Sequence, residues 1–322
     1  MVDIGFTLMG EQRGPKDLVR DAVLAEQAGF DFLVASDHFH PWLEGQGHAP
    51  YTWSVLGAVA QATSAIPFMT YVTCPTVRYH PAVVAQKAAT LGLLSDGRFS
   101  LGVGAGENLN EHVVGQLWPP VDIRHEMLAE GLEIIRGLWQ GDWFNYRGAH
   151  FDVESAKIYD LPDEPVRIGV AASGRSSCRL AADLGDFLIG TEAKPEIRAR
   201  YEQAGGRGES VAQFPVVYDE DEAKALELLH DQFRWATLGW KVQAELPGPP
   251  AFEAASRFVR PEDMAQVGVW GPDVAAYVAR VQSFVDAGYS RVAFVQVGEE
   301  QEAFCDWYAA TLKPALAAAF PS

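Results

Sequence analysis

Short apolar runs alternate along this chain with longer amphipathic stretches, almost from one end to the other. The runs Val2–Leu8, Phe30–Ala35, Phe68–Thr73, Arg98–Gly104, Val166–Val170, Phe187–Ile189, Gln213–Tyr218 and Arg291–Val297 have the length and composition of strands. Pro15, then Leu18, Ala22, Ala25 and Ala28 at helical spacing, then Gly29, predict a helix with its start and stop marked. Thr52 to Thr63, Pro81 to Leu94 and Asp122 to Trp139 predict the next helices. Others follow over Ser176–Leu184, Pro195–Gln203, Asp219–Phe233, Asp273–Ala287 and Glu299–Ala319.

Strands alternating with helices make βαβ units and a parallel sheet. Eight such units predict an α/β fold, the closed (β/α)8 TIM barrel, as a single domain over residues 1–322. A doubly wound sheet is the alternative, but no G-x-G-x-x-G follows the first strand. Two stretches break the rhythm and read as insertions, about 140–165 and 239–265. In the first, alternating aromatics around Arg147-Gly148 predict a hairpin. The second, rich in proline around Pro247-Gly248-Pro249-Pro250, yields no clean unit.

Charge changes the picture by exclusion. Lys+Arg 25 against Asp+Glu 43 gives −18, the wrong sign for a non-specific nucleic-acid binder. No apolar run reaches the roughly 18 residues of a membrane span. Cys74, Cys178 and Cys305 are widely spaced, with neither a disulfide framework nor zinc-ligand spacing, which suits a reducing, cytoplasmic setting.

Candidate chemistry gathers where the predicted strands end. The second strand stops in Ser36-Asp37-His38-Phe39-His40-Pro41-Trp42, and the fourth in Gly102-Val103-Gly104-Ala105-Gly106-Glu107-Asn108-Leu109-Asn110. In a barrel both clusters face one mouth, which places Asp37, His38, Glu107 and Asn110 together. A carboxylic acid beside an imidazole is the usual material for an acid–base pair. The alternating glycines allow a flat ligand to approach the backbone, although tight strand packing also accounts for them. His38-x-His40 has metal-ligand spacing, but the late strands supply no further histidines to complete a site. Ala171-Ala172-Ser173-Gly174-Arg175-Ser176 ends the fifth strand and opens a helix, a place for a phosphate in an otherwise acidic chain. An ordinary N-cap by Ser173 or Ser176 is the alternative.

These motifs, with Gly47-His48-Ala49-Pro50, Thr73-Cys74-Pro75-Thr76, Arg78, Pro81, Ile158-Tyr159-Asp160-Leu161-Pro162 and Gly185-Asp186, resemble the bacterial-luciferase-like monooxygenase superfamily. The resemblance lies in its branch of coenzyme F420-dependent oxidoreductases, nearest the F420-dependent glucose-6-phosphate dehydrogenase group, and runs from Met1 to about Lys313. It implies a luciferase-like barrel, the deazaflavin F420 as cofactor, and a homodimer. By position it implies His38 as general base, Glu107 as the acid by the deazaflavin and Trp42 as the aromatic wall of the reacting site. Asp37, Tyr71, Val72, Cys74, Asn110 and the loop Ala171, Ala172, Ser173, Gly174, Arg175, Ser176 are implied to line the cofactor, with a cis peptide at Tyr71-Val72. Glu11 is implied at the mouth of the pocket.

The chain departs from that group in its phosphate clamp. Of two lysines and an arginine, only Lys194 has a counterpart; the other two places fall in Pro250–Ala254 and Met264–Trp270, without a basic residue. Trp240 and Phe252 offer apolar surface there instead, while Arg257 and Arg260 could rebuild a clamp. The expected reaction is hydride transfer with a small-molecule alcohol or carbonyl substrate, not glucose 6-phosphate. A sugar-6-phosphate dehydrogenase, an FMN-dependent monooxygenase and a barrel that only binds flavin-like ligands remain alternatives.

Overall fold

The computed structural model describes residues 2–321. Six early elements set the frame: β1 (Asp3–Leu8), α1 (Pro15–Ala28), β2 (Phe32–Ala35), α2 (Thr52–Ala62), β3 (Phe68–Thr70) and α3 (Pro81–Leu94). β4 (Phe99–Val103), α4 (Asn108–Glu111) and α5 (Val121–Leu138) follow, then a hairpin of β5 (Phe144–Arg147) and β6 (Asp152–Ala156). The later units are β7 (Arg167–Ala171), α6 (Arg175–Leu184), β8 (Phe187–Gly190), α7 (Pro195–Gln203), β9 (Ser210–Val217) and α8 (Glu222–Phe233). The chain ends with α9 (Trp240–Gln243), α10 (Pro249–Ser256), β10 (Val269–Trp270), α11 (Val274–Asp286), β11 (Arg291–Gln296), α12 (Gln301–Trp307) and α13 (Lys313–Ala319).

β1, β2, β3, β4, β7, β8, β9 and β11 pair in parallel, and the contact of β8 with β9 closes the ring. All eight are runs read from the hydrophobic pattern. β9 begins earlier than expected, at Ser210, because a strand start beside Gly205-Gly206-Arg207-Gly208 reads as loop. Its Pro215 is tolerated because β8 pairs only with Ser210–Ala212, and the short β10 only with Val216 and Val217. The closing helix is interrupted by a π-turn over Tyr308–Leu312, just before Pro314, which has no N–H to continue the α-ladder.

Phe32, Val34, Met69, Tyr71, Phe187, Ile189, Val211 and Ala293 fill the barrel interior as a packed floor. A separate apolar cluster of Met9, Trp42, Leu43, Leu109, Phe233, Trp235, Phe252 and Met264 caps part of the mouth. The stretch that gave no clean pattern contributes Phe252 from α10 and Met264 from a 3-10 turn over Pro261–Gln266 to this cap. Each piece is too short for a helical period to show. Among the described residues no helix is long and apolar enough to cross a membrane.

Candidate active site

His38 stands three residues past β2, at the strand's carboxyl end, between two buried carboxylates. Its Nδ1 lies 2.6 Å from Glu11 Oε1, and its Nε2 lies 3.4 Å from Glu107 Oε1. Glu11 comes from the loop after β1 and Glu107 from the loop after β4, so three strand ends converge. Burial alone would push the imidazole toward its neutral form, but the charge and hydrogen bond of Glu11, with Glu107 beyond, raise its pKa above the ordinary value. Burial would likewise raise Glu11, yet His38 and the Ser36 hydroxyl, 2.8 Å from Oε1, hold its pKa below the usual range. Glu11 is therefore not open at the mouth: it is 3% exposed and sits behind the imidazole.

Asn110 ties the His38 and Glu107 loops together. Its Oδ1 accepts from the backbone N–H groups of Phe39 and His40 at 2.7 and 3.1 Å, and its Nδ2 donates to Glu107 Oε1 at 2.7 Å. These three hydrogen bonds are all to protein. Asp37 is similarly turned inward. Trp53 Nε1 and Thr73 Oγ1 donate to one carboxylate oxygen at 2.8 and 2.7 Å, Arg78 and Tyr79 to the other at 3.1 and 3.3 Å. With both oxygens taken, Asp37 braces the His38 loop and does not reach into the mouth. Arg78 continues the brace to α4, its backbone N–H donating to Glu111 Oε2 at 2.7 Å and its Nε 3.5 Å from Oε1.

The aromatic wall is built in layers. Trp42 meets His38 edge-on at 5.0 Å and stacks on Trp235 at 4.0 Å with 10° between the planes. Phe252 backs Trp42 at 5.1 Å and is fully buried, so it supports the wall and offers no surface of its own. Trp240 is 42% exposed, at the start of α9. His40 turns away to stack on His112 at 6.0 Å, which separates the two histidines that share metal spacing.

The floor of the mouth is defined by what glycine leaves out. A Cβ on Gly104 would stand 2.8 Å from Val72 Cγ2 and 3.5 Å from Ala171 Cβ. Val72, Gly104 and Ala171 thus meet as a low surface at the ends of β3, β4 and β7. The peptide Tyr71-Val72 is cis, and the Tyr71 hydroxyl donates to the Gly190 carbonyl across the barrel. Cys74 is buried behind Gly106, where a Cβ would come 3.4 Å from its Sγ. Burial, then Glu111 and Glu107, push its thiol pKa well up, so it is an inert packing group. Ser173, Arg175 and Ser176 are exposed at the N-terminus of α6. The hydroxyl that caps this turn belongs to neither Ser173 nor Ser176 but to Ser177, which accepts from the N–H groups of Ser173 and Gly174 at 3.2 and 3.1 Å. Lys194 is paired with Glu192 at 2.5 Å on the exposed loop after β8.

Against known proteins, residues 2–291 match the model of a family described as luciferase-like monooxygenase. The chain belongs to that family. This luciferase-like chain is 37% identical over 333 residues to an F420-dependent glucose-6-phosphate dehydrogenase of Beutenbergia cavernae, covering 99% of this chain and 98% of that protein. A relative of the same name from Amycolatopsis mediterranei is 36% identical, with 99% of each chain covered. Among solved structures, an F420-dependent secondary alcohol dehydrogenase in complex with an F420-acetone adduct superposes with a TM-score of 0.91. It shares 27% identity, over 98% of this chain and 99% of that one. The F420-dependent tetrahydromethanopterin reductase of Methanopyrus kandleri, at TM-score 0.77 and 21% identity, shares the fold.

Sequence reasoning reached His38, Glu107 and Trp42 because each ends a readable strand in a dense motif. It missed Trp235, which carries no local signal beyond an aromatic at the end of an acidic helix. It assigned no role to Ser36, Trp53 or Glu111, whose partners lie far away in the chain.

Proposed function

We propose that this chain transfers hydride between coenzyme F420 and a small, uncharged, partly apolar alcohol or its carbonyl counterpart, with glucose 6-phosphate a poor substrate. The observation that carries the proposal is His38, held between Glu11 and Glu107 against an indole wall. A carboxylate at Nδ1 keeps a proton on that nitrogen and leaves the Nε2 lone pair to take the proton of an alcohol.

The residues fit a flat, phosphate-bearing cofactor. Val72, Gly104 and Ala171 would lie under the ring, where any Cβ at position 104 would fill the space. Arg175 and Ser176, at the start of α6, would hold the phosphate. When bound, the deazaflavin supplies a carbon that accepts or releases hydride. The protein's part is to orient the alcohol between His38 and Trp42, hold the proton at Nε2 and keep Glu107 fixed through Asn110.

The substrate reading rests on the missing cations. A dianionic phosphate needs several charge-assisted donors to offset its desolvation. Lys194 is engaged by Glu192, Arg260 by Asp263 at 3.0 Å, and Arg257 lies over the Phe258 ring at 4.4 Å. Sugar-phosphate relatives at 36–37% identity keep the rival substrate in contention. The test is kcat/KM with F420 for glucose 6-phosphate against unphosphorylated secondary alcohols; a tenfold preference for the sugar phosphate rejects this substrate.

Homodimer assembly belongs to the same proposal. Val83, Leu93 and Leu94 on α3, with Tyr51 before α2, are exposed apolar residues that support it. Light scattering that gives a monomer at micromolar concentration would reject it.

A further inference from the structure

Gln46 closes a one-turn 3-10 segment, Glu44–Gln46, four residues beyond Trp42, and is 5% exposed. Its Oε1 accepts from the backbone N–H groups of Trp42 and Leu43 at 2.8 and 3.2 Å. Its Nε2 donates to the Gln232 carbonyl at 3.0 Å. That same carbonyl accepts the Trp235 indole N–H, also at 3.0 Å. One backbone oxygen at the end of α8 thus holds the Trp235 indole directly and the main chain of Trp42 through Gln46. The side chain of Gln232 extends the hub, its Oε1 accepting from Gln12 Nε2 at 2.6 Å, and Gln12 directly follows Glu11.

We propose that Gln46 is the positioning residue that holds Trp42 against Trp235 and thereby sets which alcohols fit beside His38. This rests on the oxidoreductase reading above. The site needs two acceptor contacts and one donor in a buried place, and the chemistry of a glutamine meets that need. Leucine offers neither, and would leave the Trp42 and Leu43 N–H groups and one lone pair of the Gln232 carbonyl unpaired. Glutamate keeps the acceptors but, when ionised, sets an oxygen against the Gln232 carbonyl. Protonation restores the donor.

The experiment compares wild type, Gln46→Leu, Gln46→Glu and Trp235→Phe. The first readout is the near-ultraviolet circular dichroism of the indole pair, taken as the difference between wild type and Trp235→Phe, and it needs no substrate. The second is kcat and KM, with F420, for 2-propanol and for a bulky secondary alcohol between pH 6 and 8, beside the cofactor Kd. Gln46→Leu should lose the pair's dichroism and its discrimination between the two alcohols. Its KM should rise about 10- to 100-fold for the better substrate while cofactor Kd stays within about twofold. Gln46→Glu should show the same defect at pH 8 and recover toward wild type at pH 6, a response that a general loss of folded protein would not give. Wild-type dichroism and an unchanged KM ratio in both variants would overturn the proposal. If Gln46→Leu does not fold, Gln46→Glu decides by its pH response. If wild type turns over no alcohol, the oxidoreductase reading falls, and the dichroism of the pair still decides the role of Gln46.

Discussion

Nδ1 of His38 lies 2.6 Å from Oε1 of Glu11, and this contact favours the imidazolium. Burial works against the imidazolium, but Glu11 and Glu107 outweigh it and raise the pKa above 6.5. With His38 as the proposed base, alcohol oxidation needs its neutral form, so kcat/KM should climb with pH along a limb centred above the ordinary histidine value. Carbonyl reduction should fall over the same range. Glu11→Gln removes the largest favourable charge and should move the limb to lower pH. Profiles of the two proteins, recorded in the oxidation direction, check this; an unmoved limb means that Glu11 does not tune His38.

Asn110 is the joint between the His38 and Glu107 loops, with three hydrogen bonds to Phe39, His40 and Glu107. Asn110→Ala should lower kcat by about 10- to 100-fold through misplacement of the loops. Stability should fall by about 1–3 kcal/mol from the unpaired buried groups. Denaturant titration beside steady-state kinetics separates the two effects. A loss of stability with full kcat would show that the joint does not position the chemistry.

Glu111 is fully buried, and burial, with Glu107 and Asp37 nearby, raises its pKa to about 7 against the pull of Arg78. For an acid raised on folding, the stabilisation is fully present below its unfolded pKa and is lost as pH rises through the folded value. Between about pH 4.5 and 7 this loss amounts to about 3 kcal/mol. Unfolding free energies measured across that window should fall more steeply for wild type than for Glu111→Gln. Equal slopes would contradict the assignment.

The two glycines of β4 and its end should respond differently to alanine. At Gly102 a Cβ would stand 2.0 Å from the Thr70 carbonyl oxygen, backbone that cannot step aside. Gly102→Ala should therefore fail to fold or lose well over 3 kcal/mol. At Gly104 the obstacle is a Val72 methyl, so Gly104→Ala should fold at a cost of about 1–3 kcal/mol. It should weaken F420 binding about tenfold, since the new methyl must displace the floor under the ring. Fluorescence titration with F420 reads the second effect, and unchanged affinity would remove Gly104 from the cofactor floor.

The barrel was legible because a buried parallel strand is a dense apolar run, and all eight such runs stand out between helices with marked starts and stops. His38, Glu107 and Trp42 were legible because each sits in a motif at a strand end. What stayed hidden is orientation. Nothing local tells that Asp37 turns to Trp53 and Thr73 while its neighbour His38 turns to Glu11. Phe252 reads as surface in sequence and proves to be support behind Trp42, because its helix, Pro249–Ser256, is too short to show which face it buries. Gln46 lies between two glycines without any pattern, and its meaning comes only from a carbonyl 186 residues away.

The proposed acid–base site moves hydride between F420 and an unphosphorylated alcohol. The most direct measurement is anaerobic mixing of the protein with oxidised F420 and 2-propanol, following the loss of the deazaflavin absorbance. Wild type should bleach the cofactor, and His38→Ala should do so about 10²- to 10⁴-fold more slowly with cofactor affinity little changed. Bleaching by glucose 6-phosphate but by no secondary alcohol, or at equal rates in wild type and His38→Ala, would contradict the account.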